Sequence, residues 1–149
     1  IQMYKGSVDL AAFDAFYKDI KAPLVYNGDI KTIADIKAIE QKYPKLEGMM
    51  LGRGLIARPY LIDEYTTGQN ETLERFERFI ESLEEGLRET LKYDKDVLFK
   101  LKELWAHMYI MFDHSKKPLK HLRKAQNLED YHKALDEMLE CGINNSEEI

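Results

Sequence analysis

Apolar residues along this chain change their spacing near residue 66. Before it, short apolar runs alternate with amphipathic stretches; beyond it, the period is helical throughout. Ser7 or Asp9 caps a first helix to about Ile20, with Leu10, Phe13, Phe16, Tyr17 and Ile20 on one face. Ala22-Pro23 breaks it. Residues 24–26 make a short strand bounded by Pro23 and by Asn27-Gly28-Asp29. Thr32 caps the next helix, in which Ile33, Ile36, Ile39 and Tyr43 share a face and Asp35 takes the capping-box position. After Pro44, residues 49–51 form a second strand that ends in Gly52-Arg53-Gly54. Leu55-Ile56-Ala57 opens a short helix that Pro59 continues, and the polar stretch 63–70 marks a boundary.

The second half predicts four helices. Asn70 caps one over 71–91, with Leu73, Phe76, Phe79, Ile80, Leu83, Leu87 and Leu91 inward. Asp94 caps another over 95–112, whose broad apolar face includes Leu98, Leu101, Trp105 and Met108. A third runs over 118–125 from Pro118, and a fourth over 128–139 behind Asn127. Cys141-Gly142 ends the last helix ahead of a loose tail. The fold class expected is mostly α. Residues 1–66 form βα units with parallel strands, and residues 67–149 a small antiparallel four-helix bundle.

Composition narrows the setting. The chain has 149 residues and a net charge of −5, with the apolar content of a folded protein. No apolar run reaches the ~20 residues of a membrane span. One cysteine, Cys141, excludes an internal disulfide and fits a reducing, cytoplasmic setting. The start at Ile1, with no signal peptide, suggests a piece of a longer protein. The charge is unevenly spread: residues 1–66 are neutral, 67–91 carry −4, 92–124 carry +5 and 125–149 carry −6. A basic block thus sits between two acidic helices.

Two places suggest chemistry. Each strand ends in glycine before a helix, where the backbone can approach a ligand and helix N–H groups face an anion. Either turn alone reads better as an ordinary tight turn. The ordered pair, one βα unit apart, favours a phosphate cradle. The basic block places Lys116, Lys120, Arg123 and Lys124 on one side of the third helix, with Lys117 and His121 adjoining and Lys92, Lys95, Lys100 and Lys102 upstream. Such a face suits nucleic-acid phosphates, or it pairs with the neighbouring acidic helices. His107, His114, His121 and His132 lack the spacing and partners of a metal site, and no Ser-His-Asp elbow or Walker loop occurs.

Pro23-Leu24-Val25-Tyr26-Asn27-Gly28-Asp29-Ile30, Gly48-Met49-Met50-Leu51-Gly52-Arg53-Gly54 and Arg58-Pro59-Tyr60 closely resemble the last two barrel strands of the tRNA-dihydrouridine synthases. Gln2 and Tyr4-Lys5-Gly6 look like the segment after that family's sixth strand. Leu101-Lys102-Glu103-Leu104-Trp105 and Leu122-Arg123-Lys124-Ala125 are similar to its C-terminal helical domain. The resemblance implies the end of a (β/α)8 TIM barrel followed by a helical tRNA-binding domain. It implies an FMN oxidoreductase that uses NADPH to reduce uridines of tRNA. Residue by residue, Asn27, Gly28 and Asp29 match one half of the FMN-phosphate site, and Gly52 and Arg53 the other. Lys116, Lys117, Lys120, Arg123 and Lys124 would form the RNA-binding face.

The family's N-terminal strands, with the flavin-ring contacts, the active-site cysteine and the catalytic lysine and histidine, have no counterpart in these residues. Cys141 does not take the cysteine's position. The 149 residues alone are therefore expected to have no catalytic residue, no synthase activity, and weak FMN binding or none. Two strands with open edges also suggest pairing or swapping with a second copy. Two other readings stay open: a non-catalytic helical nucleic-acid-binding or interaction module with an accidental βα prefix, and a different flavin or sugar-phosphate barrel enzyme.

Overall fold

Polar side chains at helix starts set most of the element boundaries. The structure, a computed structural model, describes residues 8–144. Its first half runs α1 (Leu10–Asp19), β1 (Val25–Asn27), α2 (Ile33–Lys42), β2 (Gly48–Met50), α3 (Arg53–Ala57) and α4 (Leu61–Thr67). Then follow α5 (Leu73–Thr90), α6 (Asp94–Met108), a 3₁₀ turn (Tyr109–Met111), α7 (Lys116–Lys124) and α8 (Leu128–Leu139). The Ser7 cap, the likeness at Gln2 and at Tyr4-Lys5-Gly6, and the tail beyond residue 144 lie outside the described residues.

Three caps are those the sequence predicts. The Asp9 carboxylate accepts the Ala12 N–H at 2.9 Å. Thr32 Oγ1 accepts the Asp35 N–H at 3.1 Å, while Asp35 Oδ2 accepts the Thr32 N–H at 2.9 Å, a capping box closed by the shorter acid. Asn127 Oδ1 accepts the Asp130 N–H at 2.8 Å. The strands lie one residue away from their expected positions and pair in parallel, with Tyr26 opposite Met49.

The two halves have separate cores. Tyr26, Ile30, Ile36 and Leu61 are buried together, with Phe13, Ile33, Ile39, Met49 and Leu51 packed around them. Tyr43 fastens α2 to α1: its hydroxyl donates to Asp14 Oδ1 at 2.6 Å, and its ring stands edge-on to Phe13 with centroids 5.0 Å apart. The second core joins α5 to α8 around Phe76, Trp105 and Phe112, whose rings meet at 5.2–5.9 Å. Trp105 Nε1–H donates to the Tyr131 hydroxyl at 2.9 Å, so the largest buried ring ties α6 to α8 without orphaning a donor. Burial pushes the Tyr131 phenol well above its ordinary pKa.

Several boundaries differ from the sequence expectation. Helix α6 stops at Met108; the chain tightens into the 3₁₀ turn, and Phe112 becomes extended and bridges to Ile143. Asp94 is the first residue of α6 and not its cap, which is Tyr93. Helix α7 begins at Lys116, so Pro118 sits within the first turn, where its missing N–H leaves no helical bond unmade.

The largest correction is at 63–70. Pro59 does not continue α3, because the residue before a proline is driven from the helical region; Arg58 has φ −132° and ψ 87°. A new helix, α4, then occupies Leu61–Thr67 and stops at Gly68, which is left-handed at φ 72°. Its acid Glu64 is buried, 3% exposed, against Arg58. Arg58 Nη2 lies 3.1 Å from Glu64 Oε1 and 3.0 Å from Oε2; only the first has hydrogen-bond alignment. Glu64 Oε1 also accepts the Glu71 N–H at 2.9 Å. That bond holds Glu71 outside α5, so Thr72 and not Asn70 caps the helix, through the Arg75 N–H at 3.3 Å. The Glu71 carboxyl is itself buried, and its pKa is raised chiefly by that burial. Beside this polar joint, Arg75 pairs with Asp63 and lies 4.3 Å over the Tyr60 ring.

Candidate functional site

Parallel neighbours send the loops after their C-terminal ends out side by side. Asn27, Gly28 and Asp29 leave β1, and Gly52, the cap of α3, and Arg53 leave β2. The loops touch at Gly54. A Cβ there would stand 1.9 Å from the Ile30 carbonyl oxygen, so only glycine allows this approach. The contact is bridged by Arg53 Nη2, 3.1 Å from Asp29 Oδ1, with both side chains about half exposed.

Gly52 is open. A Cβ on it would meet nothing within 4 Å. The first backbone bond of α3 runs from the Leu55 N–H to the Gly52 carbonyl, so the Arg53 and Gly54 N–H groups precede the helical ladder. Backbone donors, a guanidinium and unfilled space therefore meet at one edge of the sheet. The Asp29 carboxylate opposes an anion there, but it also holds the Arg53 side chain across the two loops. Beyond Gly52, between α3 and the pair α5–α6, lies an apolar groove of about 460 Å³ walled by Leu55, Ile56, Phe79, Leu83 and Met108.

Helix α7 carries the second predicted set. Pro118, Leu119 and Leu122 are buried, while Lys116, Lys117, Lys120, Arg123 and Lys124 are exposed. Among the described residues, none of these five forms an ion pair, whereas Lys133, Arg78 and Arg88 each reach a carboxylate on their own helix. Of the two readings of this face, pairing with the neighbouring acidic helices has no close ion pair behind it among the described residues. The end of α7 is held by Lys102, whose Nζ donates to the Ala125 carbonyl at 2.8 Å.

The remaining candidates are occupied elsewhere. His121 Nδ1 lies 2.7 Å from Glu137, and His132 Nε2 lies 2.9 Å from Glu84. No cluster of three metal-ligating side chains occurs among the described residues. Burial raises the pKa of the Cys141 thiol, which points to the Glu137 carbonyl and lacks the cationic surroundings of a reactive thiolate.

The profile described as "Dihydrouridine synthase (Dus)" matches residues 1–149. The chain belongs to the dihydrouridine synthase family. Two curated relatives, one from Rickettsia conorii and one from Rickettsia bellii, are 35% and 33% identical over 63 residues. Both are named "Probable tRNA-dihydrouridine synthase". The matched stretch is 42% of this chain and 19% of each relative, so the chain matches about a fifth of their length. The family is the one that residues 23–30, 48–54 and 58–60 resemble. Its sequence pattern did not reveal the Gly54–Ile30 contact or the Lys102 anchor, because both use main-chain oxygens that no residue type announces. Among the described residues, no helix is long and apolar enough to cross a membrane.

Proposed function

We propose that this chain is the C-terminal part of an FMN-dependent tRNA-dihydrouridine synthase of the cytoplasm, which reduces tRNA uridines with NADPH. In this reading β1 and β2 are the last two strands of a (β/α)8 barrel, and residues 67–149 are the tRNA-binding domain. The observation that carries it is the juxtaposition of the two glycine loops, fixed by Gly54 against Ile30 and by Arg53 on Asp29. In barrels of this class a phosphate site is frequently formed by the loops after strands seven and eight.

The residues present fit the phosphate end of FMN. Gly52 leaves space, the N–H groups at the start of α3 supply donors, and Arg53 adds charge. In this reading Asn27 and the Gly28 and Asp29 backbone would close the other side, while the Asp29 carboxylate holds Arg53 at 3.1 Å. FMN reduced by NADPH would supply the hydride for the uracil C5–C6 bond, and a proton would complete the saturation. In this reading these residues would orient the cofactor's tail and take no part in proton transfer to uracil. The 149-residue chain is therefore expected to elute from gel filtration without a visible flavin absorbance band. A band that stays with the protein would overturn the assignment of a phosphate-only site.

The exposed cations of α7, which form no ion pair among the described residues, support tRNA as the partner. Binding measured at two salt concentrations should weaken steeply with salt. Each of Lys116→Ala, Lys120→Ala and Lys124→Ala should lower the salt slope by about 1 and weaken different tRNAs about equally. Salt-insensitive binding, or equal affinity for a DNA duplex, would count against this reading.

A further inference from the structure

The start of α6 carries exposed aromatic rings among lysines, a feature that neither the cofactor loops nor the basic helix uses. Phe99 is 67% exposed and Tyr93 is 53% exposed. Isolated apolar side chains at a surface are common, but these two are not set in an ordinary surface. The ammonium groups of Lys92 and Lys95 each lie 5.4 Å from the Tyr93 ring centroid. Lys95, Phe99 and Lys102 follow one another at i, i+4 and i+7, so they share one face of α6. Lys102 then reaches the last turn of α7 through the Ala125 carbonyl. The strip from Tyr93 along α6 thus meets the end of the basic helix at its C-cap, Ala125.

The acids nearby are largely engaged. Asp94 holds Arg88 at 3.3 Å, and Glu103 holds Lys100 at 2.9 Å. Asp96 lies in the first turn of α6, where the positive end of the helix dipole offsets its charge. The strip therefore combines cations that track a phosphate backbone with the open Phe99 ring and with the Tyr93 ring, where a base would displace a covering ammonium group. That combination suits single-stranded nucleic acid, because every base has a stacking face whatever its sequence. A paired duplex hides its base faces and uses the cations alone.

We propose that Tyr93 and Phe99 form a stacking platform for unpaired bases of RNA, with α7 holding the adjoining phosphates. The proposal rests on the tRNA reading and adds which part of the RNA is gripped. The test is fluorescence anisotropy of the 149-residue chain with a tRNA transcript, a single-stranded oligoribonucleotide and a blunt RNA duplex. Tyr93→Ala and Phe99→Ala should each weaken the transcript and the single strand about tenfold. Duplex affinity and the salt slope should stay unchanged, since no charge is removed. Phe99→Trp should restore binding and Phe99→Leu should not, which separates stacking from plain apolar contact with a protein. Unaltered binding by Phe99→Ala, an equal loss on duplex, or rescue by Leu overturns the platform. If binding persists in Phe99→Ala but falls in Lys120→Ala, the tRNA reading stands and the platform alone fails. A wild-type chain that binds none of the three RNAs overturns both.

Discussion

Arg58→Met is expected to cost about 3–5 kcal/mol of folding stability, among the largest effects of any single change in this chain. Arg58 and Glu64 are 7% and 3% exposed, so water cannot replace the lost partner. Glu64 would be left accepting only the Glu71 N–H, beside a second buried carboxylate whose Oε2 already has no hydrogen-bond partner. The cost is thus the penalty of an uncompensated buried charge, not the worth of the pair. Exchanging both residues for apolar ones of similar size, Arg58→Met with Glu64→Leu, should recover most of the loss. The recovery will be incomplete, because the Glu71 N–H then loses its acceptor, a term of about 1–3 kcal/mol. Urea unfolding of the two single variants and the double variant measures all three values. A loss under about 1 kcal/mol in Arg58→Met, the size of an exposed ion pair, would show that the joint is open to solvent.

That joint also marks where the sequence stops being legible. The strands, α2 and α8 follow from periodicity and caps because each signal is local: Thr32 and Asp35, or Asn127, act on backbone within three residues. Helix α4 is not legible in this way. Asp63 and Glu64 look like solvent-facing residues, and only the fold shows that Arg58 closes over Glu64. The same bond network shifts the α5 cap from Asn70 to Thr72 by holding the Glu71 N–H. Pro59 did carry the decisive signal, but its force falls on the preceding Arg58. Around the candidate site, residue types mark the glycine loops and the basic helix. They cannot mark the Ile30 and Ala125 carbonyls that fix those parts in place.

The two glycines of the second loop should respond unequally to the same methyl group. Gly54→Ala places a Cβ 1.9 Å from a backbone oxygen, and neither partner is a flexible side chain that can turn away. Relief requires the two loops to separate, which strains the parallel pairing of β1 with β2. Over-packing of this kind costs about 1–3 kcal/mol or more, and a main-chain collision belongs at the upper end. Gly52→Ala brings a Cβ that meets nothing within 4 Å, so it should cost clearly less than Gly54→Ala. Amide hydrogen exchange of Glu47, whose N–H donates to the Leu24 carbonyl at 2.9 Å, and of Met49 two residues on reports the strand pairing directly, and thermal unfolding reports the whole chain. Gly54→Ala should speed exchange in the strands while leaving the amides of the Trp105 core protected, because the two cores are separate. Equal stability of the two variants would mean that the loops do not touch at Ile30. The phosphate reading would then lose its geometric support, since Asp29 and Arg53 alone are a half-exposed surface pair that cannot hold two loops in register.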